Sequence, residues 1–151
     1  MVNSKEILFW SIAFPGFGQI LNGKLVKGFV LVGLEILINV QANFNKAIIL
    51  SFNGEIESAI QQTDYQWLMF YPCLYFFSMW DAFKDAGGTK DPLLFLPFVF
   101  AGFFVTAGLI YSAKIRLFGV LLGPIWLPVL FMFFGLGVGF IIKLLIEKKR
   151  H

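Results

Sequence analysis

Apolar positions run almost unbroken along this chain, and its polar residues fall mostly between the runs. Residues 93–113 carry no charge over 21 positions, and residues 117–142 carry none over 26. At 1.5 Å per residue, about 20 apolar residues of helix cross a bilayer core of about 30 Å. Both runs are therefore long enough to span. Five apolar segments emerge, at 7–21, 25–40, 65–83, 93–113 and 117–146. The first is short for a span and is broken by Pro15, Gly16 and Gly18, which predicts a kinked or re-entrant helix. None of the runs alternates in the way the strands of a membrane barrel require. The expected fold class is all-α: an integral membrane helix bundle, one domain of four spans plus a short or re-entrant first helix.

One substantial polar stretch, residues 41–64, separates the second and third segments. Its apolar residues Ile49, Phe52, Ile56 and Ile60 recur at steps of three and four, which predicts an amphipathic helix weakened at Gly54. Such a helix extends the second span, lies along the interface, or packs on the ends of the bundle. Pro72, Pro97, Pro124 and Pro128 fall inside the apolar segments and are expected to kink them. The amino-terminal stretch has a weakly basic start and no small-residue cleavage site, so it reads as retained.

Composition sharpens the picture. Only 14% of the 151 residues are charged, against about 25% in soluble domains. The formal charge of +3 sits in Lys and Arg at the ends of apolar runs, a topology signal and not a nucleic-acid face. Alternating crossings put Lys24, Lys27, Lys84, Lys90, Lys143, Lys148, Lys149 and Arg150 on one side, against Lys5, Lys46, Lys114 and Arg116. A re-entrant first segment moves Lys5 across and changes eight to four into nine to three. The positive-inside rule then makes the C-terminus cytoplasmic. Tyr65, Trp67, Trp80 and Tyr111 suit interfacial belts at segment ends.

Glu35 is the sharpest chemical feature, an acid deep in the second segment. A carboxylate there costs a few kcal/mol on insertion scales, so it should face the bundle interior and find a partner. Asn39 lies four residues on, and Gln19 could reach it from the first segment. Two readings stay open, an ion or proton site and a structural hydrogen-bond node. Gly135 and Gly139 have the small-xxx-small spacing of close helix packing, either within the chain or against another copy. Asp81, Lys84 and Asp85 end the third segment as a partner or headgroup contact, or as a solvated helix end. His151 is the sole histidine and Cys73 the sole cysteine, so neither a nucleophile–base pair nor a zinc cluster is expected. No enzyme activity, cofactor or metal is expected.

The stretch 14–28, Phe-Pro-Gly-Phe-Gly-Gln-Ile-Leu-Asn-Gly-Lys-Leu-Val-Lys-Gly, resembles a pattern of small bacterial membrane proteins similar to the two-helix transmembrane (TM-two) domain. Their pattern is Pro-Gly-x-Gly-Gln, then Asn-Gly, then a Gly opening the next helix. The matching positions here are Pro15, Gly16, Gly18, Gln19, Asn22, Gly23 and Gly28. Trp80-Asp81-Ala82-Phe83 is similar to the Asp-Ala-aromatic ending of a later segment in such proteins. The resemblance covers about residues 8–40 and 65–86; Leu21 stands where an aromatic is usual, and the 41–64 stretch departs from a simple hairpin. It implies a helical hairpin in a bacterial plasma membrane and says little of activity. The expected role is a non-enzymatic accessory or interaction subunit, its partners the lipid bilayer and a membrane protein or second copy. The rival is a small ion or solute transporter or channel using Glu35, against which stands the shortage of polar residues facing it: Ser78, Thr106 and Cys73.

Overall fold

A computed structural model describes residues 3–150, and helices account for 76% of the chain. In order they are α1 (Ser4–Ala13), α2 (Phe17–Leu21), α3 (Leu25–Ala42), α4 (Phe44–Phe52), α5 (Ile56–Gln62), α6 (Tyr65–Leu68), α7 (Tyr71–Asp85), α8 (Phe95–Tyr111) and α9 (Gly123–Arg150). A two-stranded ladder, β1 (Arg116–Leu117) and β2 (Val120–Leu121), lies between α8 and α9. The all-α expectation holds apart from that ladder.

Four helical passes run alternately antiparallel. Along α3 and α6–α7, Lys27 meets Asp81 at one end while the Ala42 carbonyl accepts from the Asp64 amide at the other. Trp80 meets Phe95 and Phe98, and Tyr65 meets Ser112, so α8 runs antiparallel to α6–α7. Between α8 and α9, Gly108 abuts Pro128 while Gly139 abuts Pro97, a register that closes through the β ladder.

The first apolar segment is not one helix. Phe14, Pro15 and Gly16 break it, and Gly16 adopts a φ of +98° open mainly to glycine. α1 descends beside α7 until the Ile12 carbonyl accepts from the Tyr75 hydroxyl. α2 then returns, with Asn22 bonded to the Ala82 carbonyl. Gly18 of α2 packs between Ile7 of α1 and Ala82 of α7, so both ends of the α1–α2 hairpin sit at the C-terminal end of α7. Ten residues of α1 reach about 15 Å, half a bilayer core.

Several expected boundaries need correction. The fifth segment starts at Gly123, not 117, because Phe118 and Gly119 both take positive φ and reverse the chain in a two-residue hairpin. The third segment is divided between Leu68 and Tyr71 into α6 and α7. The polar stretch 41–64 is two helices, divided at Gly54 with φ +82°. Asn43 in the left-handed region ends α3, so α4 does not continue the second segment. Instead α4 packs on α9, where the Trp126 indole donates to the Ser51 carbonyl. Pro72 and Pro97 lie in the first turns of α7 and α8, and Pro124 follows the first residue of α9; only Pro128 is interior to a helix. Prolines here mark helix starts more than kinks.

Small cores join these passes, one around Phe76, Met79 and Ala101 and another around Ala42, Leu68 and Leu109. Most apolar surface nevertheless points outward. Among the described residues α3 and α9 are long and apolar enough to cross a membrane, with only 28% and 11% of their apolar windows buried. The core helix of a soluble protein would be mostly covered. Val26, Phe29, Phe133 and Leu144 stand more than half exposed on these two helices.

Candidate functional site

The polar residues of the 14–28 stretch converge on the end of α7. Gln19 is fully buried, and its Nε2 donates to the Ser78 carbonyl and to Asp81 Oδ2, both at 2.9 Å. Ser78 Oγ in turn accepts from the Gly16 amide at 3.1 Å. Asn22 Nδ2 donates to the Ala82 carbonyl at 2.8 Å. The backbone can come this close because side chains are missing where it must. A Cβ on Gly16 would lie 2.6 Å from the Gly28 carbonyl oxygen, and one on Gly18 would lie 2.7 Å from Ala82 Cβ. The hairpin stretch and the Trp-Asp-Ala-Phe ending, sixty residues apart, are thus two halves of one joint.

Charge closes the joint from outside. Asp81 accepts from Lys27 at 2.7 Å, and Asp85 pairs with Lys24 at 2.6 Å and Lys27 at 3.3 Å. Asp85 lies past the apolar stretch. Burial alone would raise its carboxyl, but hydrogen bonds from Lys24 and Lys27 outweigh that and hold it below the ordinary carboxylate range. Asp81 and Asp85 therefore have partners within the chain, whereas Lys84 turns away and lies 5.9 Å over the Trp80 ring.

Glu35 occupies the inner face of α3, in the buried series Gly28, Leu31, Glu35, Ile38 and Ala42. The structure does not gather Glu35, Asn39 and Gln19 into one site. Gln19 is committed to α7, and Asn39 exchanges hydrogen bonds with Asn45 at the α3–α4 corner. Glu35 instead faces Tyr71 and Tyr75, whose rings stack at 5.5 Å. Tyr71 offers it a hydroxyl, while Oε2 is buried and has no hydrogen-bond partner. Beyond the tyrosines lies a cavity of about 330 Å³, reached by Phe44, Leu109 and Met132. Tyr71 escapes sequence reasoning because nothing in its spacing ties it to residue 35. Ser78, seen only as a stray polar residue, proves to be a hub of the joint.

Gly135 and Gly139 face α8, where a Cβ on either would come within 2.5 Å of the α8 backbone, at Phe100 and Pro97. Their packing is within the chain. Among the described residues no group of three His, Cys, Asp or Glu could hold a metal ion.

The class defined by this geometry is a mostly helical protein with two membrane-length apolar helices and an interlocked amino-terminal hairpin. Compared with family models, curated proteins and solved structures, the chain matches none.

Proposed function

We propose that the chain is a multi-pass protein of a bacterial plasma membrane, with four spans and a re-entrant α1–α2 hairpin. In this reading it acts as a non-enzymatic accessory or interaction subunit, similar in its hairpin to TM-two proteins. One observation carries it: the polar groups of the joint, Gln19 and Asn22 of the hairpin stretch and Asp81 of α7, are used in joining helices to each other. A rigid scaffold with apolar outer faces follows, and such faces suit lipid and neighbouring membrane helices. The antiparallel order puts nine basic residues at the α7 C-terminal end and three at the other, which supports a cytoplasmic C-terminus. The test is a mild-detergent pull-down of the tagged protein from native membranes, followed by mass spectrometry. A reproducible stoichiometric partner is expected; recovery of the chain alone would sink the accessory role.

A second reading, ion or proton passage, has one specific observation in its favour, the unpartnered Glu35 Oε2. It predicts that reconstituted vesicles leak protons or cations with the wild type and not with Glu35→Gln. Equal tightness of both preparations would remove it.

A further inference from the structure

We propose that the groove between α7 and α8 binds one acyl chain of an anionic phospholipid, with the headgroup at Lys84. The groove encloses about 360 Å³ and is walled by Phe76, Phe77 and Trp80 of α7 and by Phe95, Phe98 and Phe103 of α8. That volume falls in the range of small-ligand pockets, about 300–1,000 Å³. Its polar groups are few. The Thr106 hydroxyl is already donated to the Gly102 carbonyl at 2.9 Å, and Cys73 contributes a thiol. A lining of aromatic rings with so little to hydrogen-bond suits a hydrocarbon chain and rejects a polar solute.

Charge selects the headgroup. Trp80 closes one end of the groove against Phe95 and Phe98, with ring centroids 6.3 and 5.9 Å away. Lys84 lies directly over that tryptophan. The neighbouring acids, Asp81 and Asp85, point toward α3 and are held by Lys24 and Lys27. Lys84 makes no ion pair among the described residues, so the groove ends in an uncompensated cation at the basic end of the bundle. A phosphate ester entering with its chain down the groove would meet it.

This inference rests on the membrane reading, and its test separates the two. The full chain is reconstituted in mixed phosphatidylcholine and phosphatidylglycerol vesicles and floated, then extracted in mild detergent for native mass spectrometry. One retained phosphatidylglycerol per chain is expected, preferred about fivefold over phosphatidylcholine, the ratio one basic contact of about 1 kcal/mol provides. Lys84→Gln should bring that ratio to about one with a lipid still bound. Gly102→Leu should fill the groove and lose both lipids, while Gly102→Ala, whose methyl meets Phe76 at an ordinary 3.5 Å, should retain them. If Gly102→Leu does not fold, the Lys84→Gln ratio decides alone. Flotation without selective retention, an unchanged ratio in Lys84→Gln, or a second copy of the chain found in place of lipid overturns the groove assignment only. Failure of the wild type to float overturns the membrane reading and the groove with it.

Discussion

Gln19 and Asp81 are joined by a 2.9 Å hydrogen bond between a fully buried amide and a carboxylate that also receives Lys27. This bond ties a bent amino-terminal hairpin to a helix that begins fifty residues later. Hydrogen bonds to charged groups contribute about 1.5–3 kcal/mol. Gln19→Leu keeps the bulk and removes both donors, leaving the Ser78 carbonyl and Asp81 short of a partner. The expected cost is about 2–3 kcal/mol, read as a lower melting temperature in detergent. Ser78→Ala, which removes the acceptor of the Gly16 amide and a longer donor to Gln19 Oε1 at 3.4 Å, should cost about 1 kcal/mol. Equal stability of Gln19→Leu and wild type would show that the joint does not hold the hairpin.

The glycines of α9 offer an internal contrast. Gly135 and Gly139 touch the α8 backbone, whereas a Cβ on Gly137 meets nothing within 4 Å. Gly135→Ala and Gly139→Ala should each cost about 1–3 kcal/mol by forcing the helices apart. Gly137→Ala should be neutral or stabilising by up to about 1 kcal/mol, since alanine is the better helix former. Thermal unfolding of the three variants in one detergent distinguishes them. Three equal effects would contradict the antiparallel register of α8 and α9.

Much of this architecture is legible in the sequence, and the failures share a cause. Segments 25–40 and 93–113 correspond closely to α3 and α8, because long apolar helices leave little else for such residues to do. Apolar count cannot see a turn made of apolar residues. Phe118 stands fully exposed at the tip of a β hairpin, where it and Gly119 take positive φ inside a run that apolar count reads as one segment. Pro15 and Gly16 did mark the hairpin bend. The joint itself was hidden, since Gln19 finds Asp81 through tertiary packing that no local period encodes. Glu35 lies in the buried series of α3, yet the companions that spacing suggests, Asn39 and Gln19, have other partners.

Asp85 gives the joint a dependence on pH. Its carboxyl is held below the ordinary value of 3.8, so the folded form favours the charged state. The stabilisation is full above the unfolded value and is lost as pH falls through the depressed folded one. Because both lysines are about half exposed, the pairs contribute at most about 1 kcal/mol. Melting temperature in detergent should therefore drop as pH is lowered below about 4, and Asp85→Asn should flatten part of that drop. A profile identical in the two proteins would show that the Lys24 and Lys27 pairs contribute nothing.

Topology is the most discriminating measurement, because the re-entrant hairpin and the charge count predict the same unusual result. In a Cys73→Ser background, single cysteines replace Lys5, Glu57, Lys90 and Lys114, all of them exposed. A spanning first helix would put Lys5 on the side of Glu57 and Lys114. The bent hairpin puts it with Lys90, since α1 starts beside the end of α7 and α2 returns there. A membrane-impermeant thiol reagent applied to intact cells should label the Glu57 and Lys114 positions. The Lys5 and Lys90 positions should react only after permeabilisation. Labelling of Lys5 from outside would replace re-entry with a crossing and return the basic count to eight against four. Labelling of Lys90 from outside would invert the orientation altogether, against the nine basic residues gathered at that end.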